Sequence, residues 1–269
     1  MAERPRPPFW RITGMESRDT DDHRRNIPPG SAVLLTTELN DPTKTEQTME
    51  FPITLLNKEQ LTHDVVRLTL ERPKGYEFTA GQAIDFKLDL PEVKDKVSPF
   101  TFTGLRTDDH LELTIKCYPD HHGMTEQIAK LQTGDEVIIS EPFDTVELKG
   151  PGVFIAGGTG MTPFIAILRQ KQVDGALAGN SLFFFNKKKE DVFMEDEFRG
   201  WLGKDFHSVL SKEEAPGHLH GMVSADLLKA HIKDFHQPFY TCGPEGFVNA
   251  VKGALTSLGA SEEMIDVQF

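Results

Sequence analysis

The sequence predicts two domains in series, a small antiparallel β barrel followed by a parallel α/β sheet. From Phe51 to about Lys149, short runs rich in β-branched and aromatic residues are separated by turn signals. From Gly152 onward, strand-like and helix-like runs alternate, the pattern of a parallel sheet with helices on both faces. That second region opens with GVFIAGGTGMTPFIAIL, residues 152–168, where an apolar strand stops at paired glycines and a helix-like run begins at a proline.

The barrel elements follow in order. ITLLN, VVRLTLER, AIDFKLDL, FTFTG, LELTIKCY and EVIISEPF read as six strands, several alternating between apolar and polar positions. Pro73-Lys74-Gly75, Ala80-Gly81-Gln82, Asp108-Asp109 and Thr133-Gly134-Asp135 supply turns. Between the fifth and sixth strands, GMTEQIAKL places Met124, Ile128 and Leu131 at helical spacing. Closing such a set of strands removes exposed edges. Domain boundaries are expected at 49–149 for the barrel and 150–269 for the α/β domain. Residues 1–48 mix prolines and both charge signs with weak periodicity, which predicts a mostly disordered tail.

In the second region VFIAG leads to PFIAILRQ, and SLFFFN leads to a helix over EDVFMEDEFRGWL. HSVLS leads through HGMVSADLLKAHI, PFYTCG leads to GFVNAVKGALTSLG, and MIDVQF forms a last strand. Ligands of such sheets bind at the carboxyl ends of the strands. Gly157, Gly158, Thr159 and Gly160 permit positive φ and close backbone approach. Thr162 fits a helix N-cap and Pro163 the first helical position. Free amides and a helix dipole thus converge on one spot, which suits a phosphate. Paired glycines in a tight turn also serve packing alone, and Pro163 stands where a full dinucleotide fingerprint has its third glycine. At the next junction, Asn186, Lys187, Lys188 and Lys189 suit the adenosine end of a dinucleotide, with charge for a 2′-phosphate; a solvated basic turn is the alternative. Cys242-Gly243-Pro244 repeats the strand-to-helix logic, although a lone cysteine at a strand end is more often a small buried hydrophobe.

Composition sets limits. A formal net charge of -13 disfavours sequence-independent binding to nucleic acid or anionic lipid. Two cysteines, Cys117 and Cys242, lack Cys-x-x-Cys spacing and support neither zinc nor an iron–sulfur cluster; reduced thiols point to a cytoplasmic setting. His121, His122, His218 and His220 are expected on solvated loops, and no metal is assigned. The N-terminus lacks the apolar core of a signal peptide. The uncharged stretch 150–168 is too interrupted by glycine and proline to read as a membrane span. Oligomeric state is not legible.

Together, Ala80-Gly81-Gln82, Pro99-Phe100-Thr101-Phe102-Thr103, Gly123-Met124-Thr125, Gly157 to Pro163, Cys242-Gly243-Pro244 and a terminal aromatic, in this order, resemble the ferredoxin–NADP reductase superfamily, in particular its single-chain flavodoxin/ferredoxin reductase-like members. The resemblance spans about Glu50 to Phe269. It implies an FAD-binding barrel and an NAD(P)H-binding sheet, hence an NAD(P)H-dependent flavin oxidoreductase that passes electrons to a separate acceptor. Flavodoxin or ferredoxin is the implied acceptor, and a small molecule the alternative. By position, Ser98, Pro99, Phe100 and Thr101 would line the flavin, with Thr101 near its reactive nitrogen. Gly123, Met124 and Thr125 would face the pyrophosphate, and Gly157 to Pro163, Asn186 to Lys188, and Gly243 and Pro244 the nicotinamide nucleotide. Cys242 would lie near the nicotinamide, and Phe269 would stack on the flavin. Two departures matter: Ser98 stands where the family carries a phosphate-binding arginine, and Asp144 where it commonly carries glycine. They motivate a second reading, a flavin-depleted nucleotide-sensing protein, with Lys94 and Lys96 as partial substitutes for the arginine.

Overall fold

A computed structural model describes residues 49–268. The expected tail at 1–48 and the expected flavin-stacking Phe269 lie outside the described residues.

The barrel comprises β1 (Glu50–Gln60), β2 (Val65–Glu71), β3 (Gln82–Lys87), β4 (Ser98–Thr101), β5 (His110–Lys116), β6 (Glu136–Ser140) and a two-residue β7 (Phe143–Asp144), with helix α1 (Met124–Lys130) before β6. All of its strand pairs are antiparallel, in the order β4-β3-β6-β1-β2-β5, with β7 beside β3. An antiparallel bridge between Phe102 and Leu113 joins the two ends of that order. The alternation read in the sequence is realised in β2, where Val66, Leu68 and Leu70 are buried and Arg67 and Thr69 face outward. Tyr76 fills the interior and donates its buried hydroxyl to the Ser140 carbonyl at 2.6 Å. The predicted strand FTFTG begins earlier, at Ser98, where pairing with Phe86 starts.

The second part comprises β8 (Val153–Gly157), α2 (Thr162–Val173), β9 (Ser181–Asn186), α3 (Glu195–Leu202), β10 (Phe206–Leu210), β11 (Leu219–His220), α4 (Ala225–His231), β12 (Phe239–Cys242), α5 (Glu245–Ser257) and β13 (Ile265–Gln268). Its strands are all parallel, in the order β11-β10-β9-β8-β12-β13. The first strand, β8, lies inside the sheet and is buried along its whole length, as its uncharged sequence requires. One face packs on α2 and α3 through Phe154, Phe164, Phe184, Phe198 and Tyr240. The other packs on α4 and α5 through Ile155, Phe183, Leu228, Val251 and Leu255.

The helix expected over EDVFMEDEFRGWL is shorter. A 3-10 turn covers Lys189–Asp191, and α3 starts only at Glu195 because Met194 takes the left-handed conformation (φ 55°) beside the buried Phe193. That backbone state breaks helical continuity for a non-glycine residue. No helix among the described residues is long and apolar enough to cross a membrane.

The barrel meets α2 through a shared apolar cluster in which Val65, Leu61, Ala80 and Val146 pack with the residues of that helix. A Cβ on Gly81 would stand 3.2 Å from the Ile167 side chain, so the turn before β3 rests almost directly on α2.

Candidate nucleotide and flavin site

Successive strands added on opposite sides of β8 make the chain leave β8 and β12 in diverging directions, opening the carboxyl edge of the sheet there. The two connections touch. A Cβ on Gly160 would lie 2.2 Å from the Cys242 carbonyl oxygen, so only glycine allows the β8–α2 turn to reach the β12–α5 turn. Gly158 has φ +55° and open space where a Cβ would stand. Its backbone is therefore exposed toward the edge and free of side-chain cover, the kind of cradle a phosphate group fits.

The helix begins differently from the sequence expectation. Gly158–Met161 form a 3-10 turn that runs straight into α2, so Thr162 is a helical residue rather than an N-cap. Its hydroxyl donates to the Thr159 carbonyl at 3.0 Å instead of accepting an amide. The conformational freedom of the glycines allows the turn to start one step earlier. Gly157 and Pro163 are buried, whereas Gly158, Thr159, Gly160 and Thr162 are half-exposed along the edge.

Cys242 ends β12, opposite Ala156 on one side and Gln268 on the other. Burial pushes its thiol up to about 12, so it is a neutral packing group and neither a thiolate nucleophile nor a proton donor near neutral pH. Gly243 follows it, and Pro244 caps α5, accepting the amides of Phe247 and Val248 through its carbonyl.

Asn186 ends β9, buried, with its side-chain Nδ2 lacking any hydrogen-bond partner. Lys187, Lys188 and Lys189 are exposed beyond it, but carboxylates surround them. Lys188 pairs with Glu190 at 3.1 Å, a hydrogen bond that raises its pKa. The Lys188 amide donates to Asp191 and the Lys189 amide to Glu213. Lys212, not singled out in the sequence, donates its amide to the Lys187 carbonyl and lines a cleft of about 320 Å³ with Lys188, Glu190 and Glu213. Its signal was the strand-end position after β10, the same logic that flagged Lys187.

On the barrel, Thr101 and Ser98 are half-exposed in β4, in register with Ala83 and Phe86, and Pro99 is exposed between Ser98 and Phe100. Phe100 is half-buried, edge-to-face on Phe86 at 5.6 Å, so part of its ring belongs to the barrel core. Gly123 precedes α1 without a side-chain cap; Met124 is buried and Thr125 half-exposed. Of the two lysines expected to substitute for the arginine, Lys96 lies beside the start of α1. Its Nζ donates to the His122 carbonyl at 2.9 Å, which holds an ammonium beside the first amides of α1. Asp144 accepts from Gln82 Nε2 at 2.9 Å, so its carboxylate is engaged at the β3–β7 edge. Uncapped α1 amides, the adjacent Lys96 cation and the open glycine turn fit the phosphates of two dinucleotides.

Other expectations differ. His218, expected on a solvated loop, has a side chain only 3% exposed and a 2.9 Å contact to Ser208 Oγ. A cleft of about 700 Å³ between α3 and residues 216–218 touches the sequence-derived motifs only at Lys189. No cluster of three or more His, Cys, Asp or Glu groups suited to a metal occurs among the described residues.

Comparison with known proteins agrees in domain order. Residues 52–150 match the oxidoreductase FAD-binding domain and residues 154–253 the oxidoreductase NAD-binding domain. The reductase component of propane 2-monooxygenase from Rhodococcus jostii (strain RHA1) is 29% identical over 225 residues, 77% of this chain and 60% of that protein. The ferredoxin–NAD(P)(+) reductase component of the naphthalene 1,2-dioxygenase/salicylate 5-hydroxylase systems of Ralstonia sp is 28% identical over 75% of this chain and 63% of that protein. This chain thus spans about three fifths of the length of those curated relatives. A ferredoxin NADP+ reductase from Neisseria gonorrhoeae with bound FAD and NADP shares the fold, at a TM-score of 0.72 and 19% identity, over 81% of this chain and 98% of that one. With the barrel and parallel sheet built in this order and both domain families matched along them, the chain belongs to the ferredoxin–NADP reductase-like superfamily.

Proposed function

We propose that the protein is an NAD(P)H-dependent flavin reductase that delivers electrons to a separate acceptor. The observation that carries this reading is the open, left-handed Gly158 in a turn that presses on the Cys242 carbonyl, on the face of the sheet whose α2 packs against the barrel. FAD, when bound, takes two electrons as hydride from a nicotinamide and can release them singly.

The chain's own residues have binding and orienting tasks. Gly157 to Thr162 would hold the nicotinamide nucleotide through backbone amides, Pro163 sets the helix behind them, and Gly243 and Pro244 shape the opposite wall. Asn186 offers its unpaired amide hydrogens to the ligand. Lys187 and Lys188 favour a 2′-phosphate and hence NADPH, with Lys188 sharing its charge with Glu190. Gly123 to Thr125 and Lys96 hold the FAD phosphates, while Ser98 to Thr101 border the flavin. Cys242 packs neutrally against the site, and Phe269 would close it. No side chain need act as acid or base. The domain boundaries read from the sequence, 49–149 and 150–269, divide these two tasks.

The two cysteines are buried in separate domains, Cys117 in the barrel and Cys242 at the end of β12, and cannot jointly hold an iron–sulfur cluster, so electrons leave for a centre outside this sequence. The similar reductase components of oxygenase systems support a ferredoxin-type protein acceptor; the net charge of -13 favours acceptors that present a basic face. The test is an anaerobic absorbance spectrum of protein supplied with FAD. Retained flavin bands that bleach with NADPH are expected. A colourless protein that still binds NADPH would replace this reading with the nucleotide sensor, which Ser98 favours.

A further inference from the structure

Beyond the cofactor contacts, one cluster of charged side chains bridges the two domains. Arg169 stands two turns into α2, the helix that starts at the glycine turn. Its guanidinium donates to Glu112 of β5 and, at 2.8 Å, to the carbonyl of Thr103, two residues beyond Thr101. Glu112 also accepts the buried Thr103 hydroxyl at 2.7 Å. Arg67 of β2 lies 3.6 Å from the other Glu112 oxygen, and both arginines reach Glu197 of α3 at 3.4 Å. The Glu112 and Arg169 side chains are only 11% and 14% exposed.

From this geometry, and resting on the reductase reading above, we infer that Arg169 and Glu112 are positioning residues that fix the nicotinamide turn against the flavin strand. The path between them is short and stiff. Seven residues of α2, about 10 Å of helix, separate Thr162 from Arg169, and one hydrogen bond then reaches the backbone running on from β4. Other polar links between the domains, His63 to Asp191 at 3.9 Å and the Lys149 amide to the Tyr240 hydroxyl at 2.9 Å, do not involve α2. The remaining contacts of α2 with the barrel are apolar, such as Ile167 over Gly81, and apolar contacts are not directional. They hold the domains together but allow them to slide. A guanidinium whose Nη1 donates both to the Glu112 carboxylate and to the Thr103 carbonyl does not. A buried ion pair is weak evidence of added net stability, and in this proposal its role is to select one geometry. Hydride transfer is sensitive to that geometry, since a displacement of about 1 Å costs on the order of 100-fold in rate.

The test uses Arg169→Gln, the isosteric Glu112→Gln, and Arg169→Lys as the conservative variant. Spin labels on Lys74→Cys in the barrel and Lys229→Cys in α4, both exposed sites, report the interdomain distance without any cofactor; Cys117 and Cys242 are buried. The expected result is a single narrow distance in the parent that broadens in both Gln variants and narrows again in Arg169→Lys. With FAD and NADPH, the limiting rate of anaerobic flavin reduction should fall about 10- to 100-fold in the Gln variants, with nucleotide Kd and flavin content unchanged. Unchanged label distances, or an unchanged limiting rate per bound flavin, would overturn the inference. A parent that takes up no FAD fails the reductase reading, and the label distances alone then decide the strut.

Discussion

Substituting Gly160 by alanine tests the contact between the two strand-end turns. The added Cβ would stand 2.2 Å from the Cys242 carbonyl oxygen and 2.6 Å from the Gly243 Cα, both backbone atoms. Rotamer changes cannot relieve such a clash, so the β12–α5 turn must retreat by more than an ångström. Overpacking of this kind costs about 1–3 kcal/mol. For a folded unit of this size that corresponds to a fall in Tm of roughly 2–12 °C, read by circular dichroism. Because the retreat opens the wall of the nucleotide site, NADPH affinity measured by calorimetry should fall with it. Gly158→Ala is the control: nothing lies within 4 Å of its Cβ, but φ +55° strains any L residue, so about 1–2 kcal/mol is expected from backbone strain alone. A Gly160→Ala protein with parental Tm and parental NADPH affinity would refute the claimed close approach.

Further outcomes are expected at three side chains. Lys96→Met should weaken FAD binding about 10- to 100-fold, the worth of a charged hydrogen bond, with no change in Tm; fluorescence titration with FAD reads it, and an unchanged Kd removes Lys96 from the phosphate site. Lys187→Ala should lower the preference for NADPH over NADH while leaving NADH turnover intact, and a constant ratio in steady-state assays would assign that lysine to solvent. The Cys242 thiol has a folded pKa, about 12, above its ordinary value of 9.0. Its contribution to stability is therefore full below about pH 9 and fades as pH rises toward about 12. Urea midpoints should fall more steeply across that window in the parent than in Cys242→Ala, and parallel pH profiles would contradict the burial argument.

Much of this architecture is legible in the amino-acid sequence alone. Alternation at Val66, Leu68 and Leu70, the unbroken apolar run of β8, and the 3- and 7-residue spacing of Val248, Val251 and Leu255 each dictate one element, because burial on one face leaves a periodic trace. The departures arise where tertiary contacts overrule local pattern. Met194 adopts a backbone state its side chain disfavours, which truncates α3, and the glycines let a 3-10 turn displace Thr162 from its expected cap. Of the candidate site, the glycine-bearing turns could be placed from sequence because close backbone approach is written in their composition. Arg169, Glu112 and Lys212 could not, since each acquires meaning from a partner far away in sequence; Arg169 and Glu112 are 57 positions apart. The charge of Lys187 to Lys189 is visible in the sequence, but not the Glu213 carboxylate that takes the Lys189 amide, which arrives from the loop after β10.

The way the strands end has a bearing on how the protein behaves when crowded. An unpaired strand edge is a template on which a second chain can add. Here the barrel order is joined at its ends by the Phe102–Leu113 bridge, and the parallel sheet terminates in β11, two residues long, and β13, four residues long. The long, apolar strands that would aggregate most readily, β8 and β9, sit between neighbours on both sides. With a net charge of -13 adding mutual repulsion, concentrated solutions should resist sheet-to-sheet association, and fibre formation would require prior unfolding of β12 or β10.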